Sequence, residues 1–548
     1  MRVRGGHAEN QGAQVERALE TAHRYLSKGR LAEAEGLTRR ILQANPEHPE
    51  ALHLLGVVAC AVGRAAEGLS LVERAAGARP RDARILFSRA NALRALGRLD
   101  EAVEAYERTL ALKPDFAEAA FNMALALDNR LDSDAACDAY RRAVAANPKL
   151  FQGYVNLGNL LQRLYRHEEA VTAYQQAIAL KPDLAEAYSN LGNALVALGR
   201  HDEAVEAQKR AVALKPGFAD GHRNLGSALA RIERHEEASA AFRRALEIDP
   251  TLADAQADLG RSLRALGRLA DSAAALRKAI ELDPDMSQAA INLGAVLMAL
   301  GDREGALRLC QQTLAREPGN PRMLAMSAAV SLDLGDRAAF DRLIDFDRFL
   351  VPKVFTAAPG FSSLAEFNSA LARHVTTHPT LTYEPPANAT KGGWHTGSLL
   401  SGDKGPVAAL EQMIEGAVRD YIAEHPADPD HPFLAHPPAK WRLAVWSVVL
   451  EAAGYQAPHL HPTAWLSGVY YAQLPKELES EAAAKAGWIE FGRPGEKLGA
   501  TAEPVVRELE PVPGLMVLFP SYFYHRTLPF TSAGKRVSIA FDVIPVAP

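Results

Sequence analysis

Cysteine is scarce in this chain of 548 residues, which contains only Cys60, Cys137 and Cys310. The three lie far apart and form no C-x-x-C pair, so the pattern argues against a disulfide framework and against a thiolate zinc site. No apolar run approaches the roughly 18 residues of a membrane span, and residues 1–14 lack the apolar core of a signal peptide. These absences predict a cytoplasmic protein without a membrane partner.

Neither sign of charge is in clear excess. The chain has 61 Lys and Arg against 66 Asp and Glu, a formal net charge of -5. Nucleic-acid binding normally requires a basic surplus or patch, so no nucleic-acid partner is predicted. The hydrophobic content of 48% and the charged content of 23% are ordinary for globular proteins and exclude a disordered or fibrous chain.

Proline recurs every 34 residues through nearly two thirds of the chain. The positions are Pro46, Pro80, Pro114, Pro148, Pro182, Pro216, Pro250, Pro284 and Pro318. A turn glycine recurs in the same register, except where Leu131, Tyr165 and Glu233 replace it. Because the apolar residues between these marks follow helical spacing, each repeat is predicted to be two antiparallel helices. Counting the turns predicts about ten repeats over residues 13–348.

The period and pattern resemble those of the tetratricopeptide repeat. The resemblance implies an all-α superhelix whose concave groove holds a protein or peptide. Asparagines at one position of the first helix would form a peptide-binding ladder there, since each amide both donates and accepts hydrogen bonds; they are Asn122, Asn156, Asn190, Asn224 and Asn292. This row resembles the asparagine ladder of the O-GlcNAc transferases. The alternative is that asparagine is simply common at this solvent-facing position.

The repeat pattern ends after Phe349, where prolines interrupt it. Residues 349–385 are predicted to form a connecting segment that contains a helix over Ser362–His374, and a second amphipathic helix is predicted over Val407–His425. Short apolar segments bounded by Gly and Pro predict strands; they are Trp441–Leu450, Trp465–Gln473, Trp488–Phe491, Leu515–Phe519 and Arg536–Ile544. Residues 386–548 are therefore expected to form a separate, mainly antiparallel β domain.

Three histidines in this domain have a spacing that suggests a metal site. His459 and His461 are two residues apart, so on an extended segment both face the same side, and His525 could join them from a later strand. Imidazole binds Fe(II), Zn, Cu and Ni alike. Arg536 and Ser538 follow on the last strand, where they could bind the far carboxylate of a dicarboxylate that chelates the metal.

These segments resemble the Fe(II)/2-oxoglutarate oxygenases, and most closely a branch fused to tetratricopeptide repeats. The residues concerned are HLHPTAWLSGVYYAQLP at His459–Pro475, GWIEFGRP at Gly487–Pro494, the segment Pro513–Val543, and ATKGGWHTGSLL at Ala389–Leu400, which resembles the start of that domain. The resemblance implies a double-stranded β-helix, or jelly roll, that follows the all-α repeats.

The resemblance also implies site residues. His459 and His525 would be iron ligands, and Arg536 with Ser538 would anchor the remote carboxylate of 2-oxoglutarate. Either Tyr470 or Tyr471 would hydrogen-bond the cosubstrate, because alternation along a strand lets only one of them face inward.

One position departs from the family pattern, since His461 stands where an Asp or Glu usually completes the iron ligands. Three interpretations remain open. His461 is the third ligand, which is the favoured interpretation. Alternatively it lies behind the ligands while water takes its place, or a carboxylate such as Glu490 fills the position from another strand.

The predicted function is that of a dioxygenase that uses Fe(II), 2-oxoglutarate and O2 to hydroxylate a side chain of a protein or peptide presented by the repeats. The alternative is a non-catalytic tetratricopeptide scaffold with a degenerate oxygenase domain. Hydroxylation of a small metabolite also remains possible. The sequence does not identify the substrate.

Overall fold

The computed structural model describes residues 3–385, 389–475 and 485–546. The chain divides into two compact units, residues 1–250 and residues 251–548. The divisions predicted after residues 348 and 385 stay predictions, and residue 386 lies outside the described residues. No helix of the described residues is long and apolar enough to cross a membrane.

Helices and turns make up the described part of the first unit. The helices are α1 (Val3–Ser27), α2 (Leu31–Ala44), α3 (Pro49–Ala61), α4 (Ala65–Ala78), α5 (Ala83–Ala95), α6 (Leu99–Leu112), α7 (Ala117–Asn129), α8 (Ser133–Ala146), α9 (Phe151–Arg163), α10 (His167–Leu180), α11 (Ala185–Ala197), α12 (His201–Leu214), α13 (Ala219–Arg231) and α14 (His235–Ile248). They alternate as first and second helices of hairpins, which confirms the predicted all-α repeat architecture.

The turns within the hairpins require a left-handed backbone. Gly97, for example, has φ 73°. Leu131, Tyr165 and Glu233 adopt φ values of 64°, 58° and 60° at the equivalent positions. The three replacements therefore keep the turn, although a side chain makes this backbone conformation costly.

The second unit begins with three further hairpins and continues into the β domain. Its helices are α15 (Ala253–Ala265), α16 (Leu269–Leu282), α17 (Ser287–Leu300), α18 (Arg303–Arg316), α19 (Pro321–Asp333), α20 (Arg337–Leu343), α21 (Phe346–Phe349), α22 (Leu364–Thr376) and α23 (Val407–Glu424). The predicted connecting helix appears as α22, where the Ser363 hydroxyl accepts a hydrogen bond from the Glu366 N–H at 3.1 Å and caps the first turn.

The described strands of the second unit form one curled antiparallel sheet. They are β1 (Val351–Val354), β2 (Thr382–Tyr383), β3 (Thr390–His395), β4 (Trp441–His459), β5 (Leu466–Gln473), β6 (Ile489–Phe491), β7 (Arg507–Leu509), β8 (Leu515–Pro520), β9 (His525–Thr527) and β10 (Arg536–Pro545). The order is β1-β8-β5-β10-β4-β9-β6-β7, and β3 pairs with β2 and β4. The mainly antiparallel β domain predicted from the sequence is thus confirmed.

Strand β4 belongs to both halves of this sheet. Its residues from Trp441 to Leu450 pair with β10, whereas Gln456 and His459 pair with β9. Between these stretches its pairing with β3 loses register, and Ala453 has φ 68°. An irregularity of this kind bends a strand. The bend carries His459 to the half of the sheet that contains β9.

A loop between β6 and β7 is attached to the helical hairpins of the same unit. The Asp333 carboxylate, at the end of α19, accepts hydrogen bonds from the backbone N–H of Thr501 at 2.9 Å and of Ala502 at 2.8 Å. Arg303 Nε donates to the same carboxylate at 2.9 Å. Leu498 of the loop is buried in the apolar cluster of these hairpins. The last three hairpins therefore support the β domain.

Candidate metal centre and cosubstrate cavity

Three imidazoles converge where β4 and β9 meet. His459 is the last residue of β4 and lies directly opposite His525, the first residue of β9. His461 follows two residues later, and its backbone N–H donates to the Ser521 carbonyl at 3.0 Å. One nitrogen from each of the three rings lies within 4.8 Å of the others. The structure therefore brings together the three histidines that the sequence pattern singled out.

Hydrogen bonds to backbone carbonyls orient two of these rings. His459 Nδ1 lies 2.8 Å from the Ala457 oxygen, and His525 Nδ1 lies 3.1 Å from the Phe523 oxygen. A carbonyl oxygen only accepts, so each Nδ1 must carry the proton. The Nε2 atoms then keep their lone pairs, which is the form that binds a metal.

Burial keeps both of these rings neutral. It lowers the pKa of His459 to about 4, with a further contribution from neighbouring His461. Burial also lowers the pKa of His525 well below its ordinary value, and the two nearby imidazoles act in the same direction. At neutral pH a metal ion would thus not have to displace a proton from either ring.

Arg536 is a buried cation at the start of β10. Its side chain is 1% exposed, and its guanidinium donates to the Gly487 carbonyl at 3.2 Å and to the Ser538 hydroxyl at 3.3 Å. Among the described residues no carboxylate forms an ion pair with it. Since an uncompensated buried charge costs several kcal/mol, this guanidinium is suited to bind an anion.

The two tyrosines of β5 point in opposite directions. Tyr471 lines the cavity, its ring lies 4.9 Å from the Arg536 guanidinium carbon, and its buried hydroxyl has no hydrogen-bond partner in the described part of the chain. Tyr470 instead donates to Asn368 Oδ1 of α22 at 2.6 Å. Of the two predicted cosubstrate contacts, the structure places only Tyr471 in the cavity and excludes Tyr470.

Glu490 does not lie at the position of a third ligand. Its carboxylate accepts from Arg493 Nε at 2.8 Å and from Arg526 Nε at 2.6 Å, and the side chain is 3% exposed. These two guanidiniums neutralise it. The interpretation in which Glu490 completes the metal ligands is therefore wrong for this arrangement.

The histidines and Arg536 line one cavity of about 320 Å³. Its wall also includes residues that the sequence pattern left unassigned. His395 lies at the end of β3 with its ring stacked on Trp446, and the buried hydroxyl of Thr390 has no partner among the described residues. Asp542 contacts His461 from β10. Thr390, His395 and Asp542 lie within segments that resemble the oxygenase family, but the sequence pattern assigned no role to them, because distant strands bring them to the cavity.

Iron and 2-oxoglutarate fit this donor set. Three imidazole nitrogens suit Fe(II), although they suit other transition metals as well. The buried Arg536 and the Tyr471 hydroxyl, which have no carboxylate and no hydrogen-bond partner respectively among the described residues, suit the far carboxylate of a dicarboxylate.

Two of the predicted groove asparagines donate hydrogen bonds to an asparagine of the preceding repeat. Within the first unit, the Asn122 amide donates to Asn91 Oδ1 and the Asn190 amide donates to Asn159 Oδ1, each at 2.9 Å. These bonds connect neighbouring repeats and use part of each amide's capacity. Peptide binding by the asparagine row stays a prediction.

Comparison with known families agrees with these observations. Residues 444–542 match the family described as "Putative 2OG-Fe(II) oxygenase". Tetratricopeptide families match residues 25–91, 90–128, 118–149, 166–199, 192–233, 219–252 and 263–330. The chain is therefore a tetratricopeptide-repeat protein that also carries a domain of this oxygenase family, as the sequence motifs predicted.

No curated protein matches the chain. Solved structures with similarity include MamA, at 27% identity over 30% of this chain and 96% of that chain, with a TM-score of 0.29. YrrB, described as "a TPR protein with an unusual peptide-binding site", is 24% identical over 34% of this chain and 96% of that chain, with a TM-score of 0.31. These TM-scores are too low to support a statement about this chain.

Proposed function

We propose that this protein is an Fe(II)- and 2-oxoglutarate-dependent dioxygenase that hydroxylates a side chain of a protein or peptide held by its repeats. The observation that carries the proposal is the presence, in one cavity, of the three-histidine group and of the buried Arg536, which has no ion-pair partner among the described residues. A metal alone would not need a buried cation nearby, whereas a chelating dicarboxylate needs both.

The three histidines would hold the metal. His459 and His525 present Nε2 because backbone carbonyls hold their Nδ1–H groups, and His461 presents Nε2 because Asp542 holds its Nδ1–H. This assignment keeps the favoured interpretation of His461 as third ligand. The rings need little reorganisation on binding, since their tautomers and orientations are already fixed.

Arg536, Ser538 and Tyr471 would bind the cosubstrate. Arg536 supplies charge and N–H donors to the far carboxylate, and the Tyr471 and Ser538 hydroxyls add further hydrogen bonds. Together, bound iron and 2-oxoglutarate would activate O2 to hydroxylate a C–H bond, with succinate and CO2 as co-products. Buried apolar residues such as Phe519 and Val448 line the same cavity and would limit access of water.

Binding tests the cosubstrate site directly. Under anaerobic conditions, the full chain with Fe(II) should develop a metal-to-ligand charge-transfer band when 2-oxoglutarate is added. Arg536→Ala should weaken 2-oxoglutarate binding by at least about 100-fold, because a charge-assisted bidentate contact is lost. Arg442→Ala, which removes an exposed arginine of β4, is the matched control. Equal affinity in the Arg536 variant would refute the assignment.

Turnover separates catalysis from scaffolding. Iron-dependent succinate formation that His525→Ala abolishes would support the dioxygenase. If the wild-type chain binds iron and 2-oxoglutarate and forms no succinate with any substrate, the scaffold alternative gains support.

A protein substrate can be detected without knowing its identity. Proteins of a cell extract treated with the full chain, Fe(II), 2-oxoglutarate and 18O2 should gain one labelled oxygen, seen by mass spectrometry. Combined alanine substitution of Asn156 and Asn224 should reduce this labelling, while the charge-transfer band stays unchanged. Labelling of small metabolites alone would contradict the proposal that the repeats present the substrate.

A further inference from the structure

A carboxylate lies behind the histidine that replaces the usual acidic ligand. Asp542 Oδ1 is 2.5 Å from His461 Nδ1 and 2.6 Å from the Ser467 hydroxyl. Asp542 is 8% exposed, and on β10 it lies directly opposite Ser467 of β5. Both neighbours reach the same carboxylate oxygen, so the carboxylate is held in place between β4 and β5.

We propose that Asp542 is a positioning residue of the metal centre, which acts through His461 and supplies the negative charge that a coordinating carboxylate would otherwise provide. The inference rests on the proposed function, since it assigns a role to Asp542 in that same site. A negative charge from Asp542 would also explain how His461 can replace the Asp or Glu of the family pattern while the site keeps the negative charge of that residue.

The charges of the occupied cavity support this role. Imidazoles bound to a metal would be neutral ligands, and the two charges of Fe(II) would be balanced by those of the 2-oxoglutarate dianion. Among the described residues that line the cavity, the other groups of opposite charge type are the guanidinium of Arg536 and the carboxylate of Asp542, which would cancel. Without Asp542 the cavity would carry one uncompensated positive charge in a buried site.

The hydrogen bond to Asp542 has a second effect on His461. It fixes the proton on Nδ1 and leaves the lone pair of Nε2 free to bind a metal. It also makes Nε2 a stronger electron-pair donor to the metal, because the carboxylate stabilises positive charge on the ring. Carboxylate partners of this kind commonly change metal affinity by about 10- to 100-fold. A merely structural link between β10 and β5 would not alter the electronic properties of a bound metal.

Substitution by asparagine isolates the charge. In Asp542→Asn the amide oxygen can still accept from His461 and Ser467, so the shape and the hydrogen bonds are retained. With Co(II) as probe in the full chain, Asp542→Asn should weaken binding by about 10- to 100-fold and shift the visible absorption of the bound ion. Ser467→Ala keeps the carboxylate on His461 and should change the affinity less than about threefold.

A second pair of variants tests the same role of Asp542 in a background where Asp542→Asn is expected to strengthen Co(II) binding. In His461→Asp, two carboxylates would face each other, and their repulsion would keep one protonated or force them apart. Adding Asp542→Asn to that variant should therefore strengthen Co(II) binding, whereas the same change weakens it in the wild-type background. A residue with only a packing role would shift both backgrounds in the same direction.

The outcomes distinguish this inference from the proposed function. If the wild-type chain binds neither Co(II) nor Fe(II), the proposed function fails. If the wild type binds and Asp542→Asn shows unchanged affinity and spectrum, the proposed function stands and the inference is overturned. If Asp542→Asn does not fold, the comparison of His461→Asp with its double variant decides, and weaker binding in the double variant overturns the inference.

Discussion

Tyr470 and Tyr471 are adjacent in sequence and have different surroundings. The Tyr470 hydroxyl is bonded to Asn368, whereas the Tyr471 hydroxyl is buried in the cavity without a partner among the described residues. A buried hydroxyl that the protein itself does not satisfy is costly unless a ligand satisfies it. Removal of the Tyr471 hydroxyl therefore tests the cosubstrate site, and removal of the Tyr470 hydroxyl is the matched control.

Tyr471→Phe is expected to weaken 2-oxoglutarate binding by about tenfold or more, because one hydrogen bond to a charged group is lost. Stability should stay equal or rise slightly, since the removed hydroxyl has no partner in the described protein. The control Tyr470→Phe should lower the free energy of unfolding by about 1 to 2 kcal/mol, because Asn368 loses its donor. Calorimetric titration and thermal unfolding measure these effects. The reverse pattern would refute the assignment of Tyr471.

The neutral histidines predict how the stability of the metal-free protein depends on pH. The pKa of His459 is about 4 when folded and near 6.5 when unfolded. The contribution of the neutral His459 ring to the free energy of unfolding is therefore fully present above pH 6.5. It is lost as the pH falls towards 4, because the unfolded chain then binds a proton that the folded chain does not. The expected loss is about 3 kcal/mol, and His525 acts in the same direction.

Tryptophan fluorescence can follow this loss, because all five tryptophans lie between Trp394 and Trp488. Carboxylates titrate in the same pH range, so the wild type must be compared with His459→Asn. The variant should lose less stability between pH 6.5 and 4 than the wild type. Parallel curves would show that His459 is protonated equally well in both states.

At the scale of elements, the loop between β6 and β7 depends on one side chain of α19. The hydrogen bonds that Asp333 accepts from Ala502, Thr501 and Arg303 outweigh the effect of its burial and keep its pKa below the usual value. The carboxylate therefore remains ionised at neutral pH and holds the loop against the hairpins. The loop follows β6, which pairs with β9, and β9 begins with His525 of the candidate metal centre.

Asp333→Asn should release this loop. The variant removes the charge that pairs with Arg303, whose side chain is 14% exposed, and we expect the free energy of unfolding to fall by about 2 kcal/mol. Hydrogen exchange at Thr501 and Ala502 should accelerate. Asp341→Asn, which removes an exposed ion pair with Arg337, should have little effect. Unchanged exchange at Thr501 would mean that other contacts hold the loop.

At the scale of the whole molecule, the candidate site and the last repeats belong to the same compact unit. The compact unit that contains the cavity begins at residue 251 and includes three helical hairpins. Leu498 is buried among the residues of these hairpins, and Asp333 belongs to the last of them. The division predicted after residue 348 stays a prediction, and it does not coincide with the boundary between the compact units at residue 250.

Two truncations test this division. A chain of residues 251–548 should bind Co(II) with an affinity close to that of the full chain. A chain of residues 349–548 should bind poorly or aggregate, because the surface that packs on Leu498 and the carboxylate of Asp333 are both missing. Binding by Co(II) absorption and folding by tryptophan fluorescence measure the two effects. Wild-type binding by the shorter chain would show that the hairpins are dispensable.

Those parts of the protein that depend on local periodicity or on short motifs can be predicted from the amino-acid sequence alone. A 34-residue period is sufficient to predict helical hairpins, since each repeat packs mainly on its neighbours in the chain. The H-x-H pair and the later His525 and Arg536 were recognisable because their order and spacing resemble an oxygenase motif. The bounds of β5 and β10 were predicted to within one residue, because these apolar strands end at polar or turn residues.

Contacts between residues that are distant in the chain can be identified only from the folded structure. The inward position of Tyr471 rather than Tyr470, the neutralisation of Glu490 by two arginines and the pairing of Asp542 with His461 all depend on strand register. A shift of one residue in that register would move every one of these side chains to the other face of the sheet. Sequence spacing carries no information about such a register across 81 residues, so the charge behind His461 became visible only in the folded chain.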